Sequence, residues 1–268
     1  MENQSRFKEG MSKLFLPITA PIKFIQEHFK AMVFVLIVVL IFAPSNEQSL
    51  LPNNLHQIAI KGPIFDAEEV VYQLDQAAKN DTVKGVLIDI NSPGGAVAPS
   101  VEIAYAIKRV REKKPVVVYA SGVFASGGYY AAIWADKIIA NPGAMVGSIG
   151  VIMQGADFSE LMGKIGIKHQ VVAAGRYKEL GTANRQWTDE ERRELNKVIQ
   201  GTYDLFVGDV AAARNLDPRK HARYADAHIF TALQAKDAGL VDAIGVKYDA
   251  KAEIVKLSGV EKPVWNEE

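Results

Sequence analysis

The sequence predicts an α/β fold built on parallel βαβ units. Two observations carry that expectation. From residue 56 onward, short Val- and Ile-rich runs alternate with longer stretches of helical periodicity. Two of the strand-to-helix passages also carry glycine-rich turns, Asn91-Ser92-Pro93-Gly94-Gly95 and Ser126-Gly127-Gly128, where open α/β sheets place their ligand sites.

In chain order, His56 to Ile60 reads as a short strand and Ala67 to Lys79 as a helix. Val83 to Ile90 (VKGVLIDI) is a strong strand. Pro99 to Lys113 is an amphipathic helix ending in Lys108, Arg109, Arg111, Lys113 and Lys114, where the helix dipole favours cations. Pro115 to Ala120 (PVVVYA) reads as a strand and Ser126 to Ala135 as a helix. Lys137 to Ala140 and Val146 to Met153 follow as strands, Phe158 to Ile165 as a short helix, and Gln170 to Ala173 as a strand. Thr188, with Glu191 three residues later, makes a capping box that opens a long helix to Asn215. Leu233 to Gly245 and Asp249 to Leu257 read as mostly helical. There is no internal repeat.

The N-terminal region differs from the rest. Ala31 to Ala43 (AMVFVLIVVLIFA) is an unbroken apolar run between Lys30 and Pro44. A spanning helix usually needs about 20 residues. Extension back through Phe24, Ile25 and Phe29 requires Lys23, Glu27, His28 and Lys30 to snorkel. Arg6, Lys8, Lys13, Lys23 and Lys30 outnumber Glu2, Glu9 and Glu27, a bias that keeps the N-terminus cytoplasmic. A cleaved signal peptide is the rival, but the run ends Phe42-Ala43-Pro44 without a small-x-small pair. The expected organisation is therefore a basic cytoplasmic segment at 1–30, a transmembrane signal anchor at 31–43, a linker at 44–55 and one domain at 56–268. That domain is expected on the extracytoplasmic side of a cytoplasmic membrane.

Composition narrows the chemistry. Formal net charge is zero and no basic stripe stands out, so nothing points to nucleic acid. There are no cysteines, which excludes disulfides, thiolate metal sites and a thiol nucleophile. No metal or cofactor is expected.

Ser126 stands between Ala125 and Gly127 at a helix start. Read alone it is either an N-cap or a nucleophile whose neighbours are pared down to admit a substrate. Likewise Pro93-Gly94-Gly95 is either a plain tight turn or a pair of bare amides able to hold an oxyanion. A Gly95 amide and a Gly127 amide around one carbonyl oxygen, with Ser126 beside them, would form an acyl-transfer site if a base exists. The five histidines are His28, His56, His169, His221 and His228, and none falls in the 42 residues after Ser126. Lys178, in Ala174-Gly175-Arg176-Tyr177-Lys178-Glu179, is the alternative base. A lysine base must be neutral, so burial has to lower its pKa from about 10.4; Tyr177 and Leu180 are the candidate apolar wall. Otherwise Lys178 is a solvated loop residue.

Five ordered segments resemble one family: INSPGGAV (90 to 97), FASGGYYAA (124 to 132), NPGAMVGSIGV (141 to 151), GRYKELG (175 to 181) and AGLVDAIG (238 to 245). Together they resemble the signal peptide peptidase A family over about residues 56 to 250. The resemblance implies a crotonase-like, Clp-protease-like spiral of ββα units behind the N-terminal anchor. It implies Ser126 as nucleophile, Lys178 as general base, Ser148 as the hydroxyl orienting that lysine, and Gly95 and Gly127 as oxyanion donors. It implies a homo-oligomeric ring or dome in which serine and lysine can come from neighbouring subunits. The implied substrates are released signal peptides, cut within their apolar centre. An extended peptide is expected alongside residues 95 to 98 and 121 to 124, where Ala96, Val97, Ala98, Gly122 and Val123 would bind it and favour small or aliphatic side chains. The sequence departs from the family at Thr182-Ala183-Asn184, where a proline is expected after Gly181, and at 225–232, which lacks the usual glycines. Two other readings stay open: a crotonase-type acyl-CoA enzyme, and a non-catalytic membrane scaffold that binds apolar peptides.

Overall fold

A computed structural model describes residues 24–39 and 52–267. Most of the expected basic segment (1–23), the end of the apolar run (40–43) and most of the linker (44–51) lie outside the described residues. The chain divides into two units, Met1–Leu51 and Pro52–Glu268. In the first unit, helix α1 covers residues 24–39 and exposes Phe29, Phe34 and Leu36. Among the described residues no helix is long and apolar enough to cross a membrane.

The second unit starts with β1 (Leu55–Lys61), α2 (Glu68–Lys79), β2 (Gly85–Ser92), α3 (Val97–Arg111) and β3 (Val116–Ala125). Next come α4 (Gly127–Ala132), β4 (Lys137–Ala140), β5 (Met145–Gly147), α5 (Ser159–Lys164) and the long α6 (Asp189–Arg214). A 3₁₀ turn (Pro218–Arg223), β6 (Ile229–Thr231), α7 (Ala232–Asp237), β7 (Ala243–Ile244), α8 (Lys247–Ser258) and β8 (Trp265–Glu267) complete it.

The strands form one sheet in the order β6-β5-β3-β2-β1-β8, with β4 pairing β3 and β7 pairing β4. Every pairing is parallel except β5 with β6. Strand β3 is the fork. Its first half pairs with β4 (Val117↔Lys137 to Ala120↔Ala140) and its end pairs with β5 (Val123↔Met145 to Ala125↔Gly147). The register with β2 shifts between Ile90 and Ser92, from Ile90↔Ala120 to Ser92↔Phe124, so β3 carries extra residues just before Ser126.

Alternating side chains of a strand face opposite sides of its sheet, and here both sides are covered. Ile58, Ile60, Val86, Ile88, Ile90 and Val118 share a core with Leu74 of α2, Ile103 and Ile107 of α3, and Tyr129 of α4. Leu55, Leu87, Val117 and Tyr119 face the other way, against Ala250 and Ile254 of α8. That double burial explains the near-continuous apolar runs of β2 and β3. Each fully buried Val, Leu or Ile contributes roughly 1.5–3 kcal/mol. The site therefore stands on a stiff base.

Three expectations need correction, and three short strands go beyond them. The strand expected over Val146–Met153 stops at Gly147, because Gly147 and Ser148 take φ 115° and 51°. Gln170–Ala173 forms no strand; Val171 and Val172 are exposed and pair with nothing in the sheet. The helix expected over Leu233–Gly245 ends at Asp237. Gly239 turns at φ 77°, Leu240 and Val241 enter the core, and β7 follows. Strands β6, β7 and β8 are two or three residues long and leave no periodic trace in the sequence. The capping box at Thr188 and the α6 stop at Asn215 (φ 55°) are found where expected.

Candidate active site

Strand β3 ends in a sharp strand-to-helix turn whose corner is Ser126, at φ 49° and ψ −128°. For a residue with a side chain, such backbone costs on the order of 1–3 kcal/mol and persists only where the surroundings enforce it. Here the Ser126 N–H donates to the Gly147 carbonyl at 2.8 Å, and the Ser126 carbonyl accepts from the Tyr130 N–H at 2.9 Å. The hydroxyl makes no capping bond to α4. Ser126 thus occupies the N-cap position of α4 without its side chain capping the helix: its backbone is pinned and its hydroxyl is not used by α4. A strained strand-to-helix elbow whose uncapped serine lines a cleft is a geometry suited to an acyl-transfer serine.

Two glycine turns close around that oxygen. Gly94, at φ 101°, lies so near that a methyl group there would come within 2.6 Å of the Gly127 nitrogen and 2.7 Å of Ser126 Cβ. A methyl on Gly127 would sit 3.2 Å from the Gly95 nitrogen and run into Ser100 Oγ. The Gly95 and Gly127 amides are therefore neighbours, kept so by the absence of side chains. Two amides so placed can stabilise a developing oxyanion, worth roughly 3 kcal/mol per donor.

Ser148 arrives from the end of β5. Its φ of 51° turns it away from the strand path, and its N–H donates to the His228 carbonyl at 2.7 Å. The opposing loop is strained too, with Asp226 and Ala227 at φ 63° and 57° and the Ala227 N–H bonded to the Ile149 carbonyl at 3.0 Å.

Gly95, Val97, Ser126, Gly127 and Ser148 line one cleft of about 400 Å³. Its far wall comes from α6, through Ile199, Tyr203 and Phe206, and Tyr130 of α4 adds to it. The Tyr130 hydroxyl donates to Asp209 of α6, and its ring meets Phe206 edge-on at 4.9 Å. Burial and Asp209 together push the Tyr130 hydroxyl pKa up, which keeps it a donor. Sequence reasoning missed this wall. Helical periodicity shows that α6 has an apolar face but not what that face meets.

Ala96, Ala98, Gly122 and Val123 do not line the cleft. Residues 97–98 already belong to α3, and Ile64 occupies the outer side of Gly95 by accepting from the Ala96 N–H at 2.8 Å and donating to the Gly94 carbonyl at 2.9 Å. The 123–125 end of β3 is paired with β5, and Phe124 with Ser92 of β2, while the Val123 N–H donates to Asn91 Oδ1 at 2.9 Å. The backbone beside Gly95 and the 123–125 end of β3 are thus paired within the chain itself, whereas Gly95 and Val97 line the cleft.

Lys178 is also outside the cleft. It is exposed, in the turn 174–181, and its N–H donates to the Gly175 carbonyl at 3.2 Å. The expected apolar wall of Tyr177 and Leu180 leaves Lys178 exposed, and the Tyr177 hydroxyl donates to Glu190 at 3.2 Å. None of the histidines lines the cleft either. Within one chain, four of the five expected catalytic groups line one cleft and the expected base, Lys178, stands apart.

Comparison with known proteins bears on this geometry. The description "Peptidase family S49" matches residues 108–261, and "Clp protease" matches residues 51–155. The chain is 41% identical over 198 residues to "Putative protease MJ0651" of Methanocaldococcus jannaschii, covering 74% of this chain and 64% of that one. It is 34% identical over 193 residues to "Putative signal peptide peptidase SppA" of Enterococcus faecium, covering 72% and 56%. The match thus spans just under two thirds of the first relative's length and just over half of the second's. Among solved structures, a point mutant of ClpP1 from Listeria monocytogenes superposes with a TM-score of 0.51 at 21% identity, covering 72% of this chain and 93% of that one. That likeness establishes a Clp-protease-like α/β fold.

Proposed function

The chain belongs to peptidase family S49, and from that premise we propose that it is a membrane-anchored serine endopeptidase whose nucleophile is Ser126 and whose general base is Lys178. The observation that carries the reading is the elbow at Ser126: a strained, uncapped serine facing a cleft that also holds Gly95, Gly127 and Ser148.

In the proposed reaction the neutral Lys178 amine takes the Ser126 hydroxyl proton as the oxygen attacks the scissile carbonyl carbon. The Gly95 and Gly127 amides hold the resulting oxyanion. The tetrahedral intermediate collapses, the C–N bond breaks, and the Lys178 ammonium returns its proton to the leaving amine. A water, deprotonated by the same lysine, then hydrolyses the ester and restores the serine. Ser148 orients the lysine.

Because Lys178 lies outside the cleft of its own chain, the reading assigns it to the cleft of a neighbouring copy, in a homo-oligomeric ring or dome. Residues 151–181 support this: none of them is buried, and Ile152, Ile165 and Val172 are among the exposed apolar side chains. Such a segment is suited to packing against a second subunit.

The proposed substrates are released signal peptides or other apolar peptides. The aliphatic and aromatic walls of the cleft support an apolar side chain beside the scissile bond. The relative from Enterococcus faecium, described as a signal peptide peptidase, supports the same class. The apolar run at 31–43 and its basic upstream flank support a single-pass signal anchor that presents the domain outside the cytoplasm.

The test is cleavage of an internally quenched peptide with a Leu/Ala centre by full-length protein, wild type against Ser126→Ala and Lys178→Ala. Both variants are expected to lose turnover, and a peptide aldehyde is expected to form a covalent adduct on Ser126 alone. Cleavage by either variant at the wild-type rate overturns the assignment.

A further inference from the structure

Lys178 lies in a turn that apolar packing cannot place, since residues 174–181 include no buried side chain. Polar contacts to the first turn of α6 hold it on both flanks. On the N-terminal flank, Arg176 meets Glu190 at 2.5 Å and the Tyr177 hydroxyl donates to the same carboxylate at 3.2 Å. On the C-terminal flank the holder is Arg185. Its guanidinium donates to both carboxylate oxygens of Glu191 at 2.8 Å, and its Nη2 also reaches Glu179, the residue next to Lys178, at 3.3 Å.

Glu191 is no ordinary surface carboxylate. Its side chain is only 7% exposed, and it also accepts the Thr188 N–H at 2.8 Å, closing the capping box that starts α6. The Trp187 indole N–H donates to the Thr182 carbonyl at 2.8 Å and ties the far end of the turn to the same place. Isolated surface ion pairs contribute little. A bidentate fork seated on a helix start is different, because its planar geometry fixes direction as well as distance.

We infer that Arg185 is a positioning residue for Lys178, joining Glu179 to Glu191 so that the lysine is presented at one fixed height and angle from the start of α6. The inference rests on the reading of Lys178 as general base. Arg185 touches no reacting atom; it acts through Glu179. A base displaced by about 1 Å can lose roughly 10²-fold in rate, so a turn without packing needs such a brace.

The experiment compares full-length wild type with Arg185→Gln, Arg185→Lys, Glu179→Gln and Lys178→Ala, reading kcat, KM and the pH profile of kcat on the quenched Leu/Ala peptide. Arg185→Gln is expected to lower kcat about tenfold or more with KM within about twofold, and to move the acid limb of the profile by about half a pH unit. A merely inactive fraction would lower kcat without moving that limb. Arg185→Lys, which keeps the charge but not the fork, is expected to recover part of the loss. If Arg185→Gln fails to fold, Glu179→Gln decides, because it spares the Arg185–Glu191 pair; it is expected to show the same limb shift. A wild-type kcat and pH profile in the folded variants, with Lys178→Ala inactive, overturns the brace and leaves the dyad standing. An active Lys178→Ala overturns the dyad itself, and the brace with it.

Discussion

The Ser126 N–H donates to the Gly147 carbonyl at 2.8 Å. That bond crosses from the end of β3 to the end of β5, where Ala125 pairs with Gly147. It locks the two serines of the site together, each at positive φ, 49° for Ser126 and 51° for Ser148. Strain at two adjacent strand ends is unfavourable to folding and has no evident structural purpose. It is intelligible if both hydroxyls must face one cleft.

Ser148→Ala is therefore expected to impair turnover without disturbing the fold. Its backbone contact to His228 survives the change, since it is made by the N–H. Losing the hydroxyl proposed to orient Lys178 is expected to lower kcat by about 10–100-fold, with KM and melting temperature close to wild type. Steady-state kinetics and a thermal melt check this.

Gly94→Ala is expected to damage both stability and activity. The position combines φ 101° with a methyl clash against the Gly127 nitrogen and Ser126 Cβ. A penalty of about 1–3 kcal/mol corresponds to a fall in Tm of roughly 2–4 °C per kcal/mol in a domain of this size. Residual activity is expected to fall further than the folded fraction, because the displaced Gly127 amide is one of the two proposed oxyanion donors.

Tyr130→Phe tests the α6 wall. It removes the hydroxyl that binds Asp209 and leaves the Phe206 contact intact. A lost hydrogen bond to a carboxylate is expected to destabilise by about 1.5–3 kcal/mol. A raised KM for apolar peptides is expected alongside, since the same tyrosine lines the cleft.

Acid should loosen the start of α6. The Arg185 guanidinium, followed by the Thr188 N–H, holds the Glu191 carboxyl down to about 2, below its ordinary 4.5. A carboxyl depressed on folding adds stability above its unfolded pKa and loses it as pH falls toward the folded value. Melting temperature is thus expected to decline from about pH 4.5 toward pH 2, and the decline is expected to be shallower in Glu191→Gln.

The strand–turn–helix around Ser126 is legible in the sequence because its signals are local: an apolar run, then a serine followed by two glycines. The Gly94-Gly95 turn is legible for the same reason. Resemblance adds Ser148, which no local pattern singles out, and favours Lys178 as base over the solvated loop residue it otherwise resembles. The wall formed by Ile199, Tyr203 and Phe206 is hidden, because it depends on how α6 crosses the cleft more than 70 residues after Ser126. The expected peptide-binding segments at 95–98 and 121–124 are only partly legible: Gly95 and Val97 line the cleft, while alternation cannot reveal that Ile64 bonds the backbone of Gly94 and Ala96 or that β5 pairs with residues 123–125. Lys178 looks the same in sequence whether it serves its own cleft or another's.

Mixing two inactive variants tests the central proposal most directly. Ser126→Ala lacks the proposed nucleophile and Lys178→Ala the proposed base, so each alone is expected to be inert. Co-assembled in equal amounts, they are expected to regain about a quarter of wild-type turnover, because half the copies donate each group to a heterologous contact. A mixture as inactive as its components, or an active component before mixing, contradicts a site completed by serine and lysine from different copies.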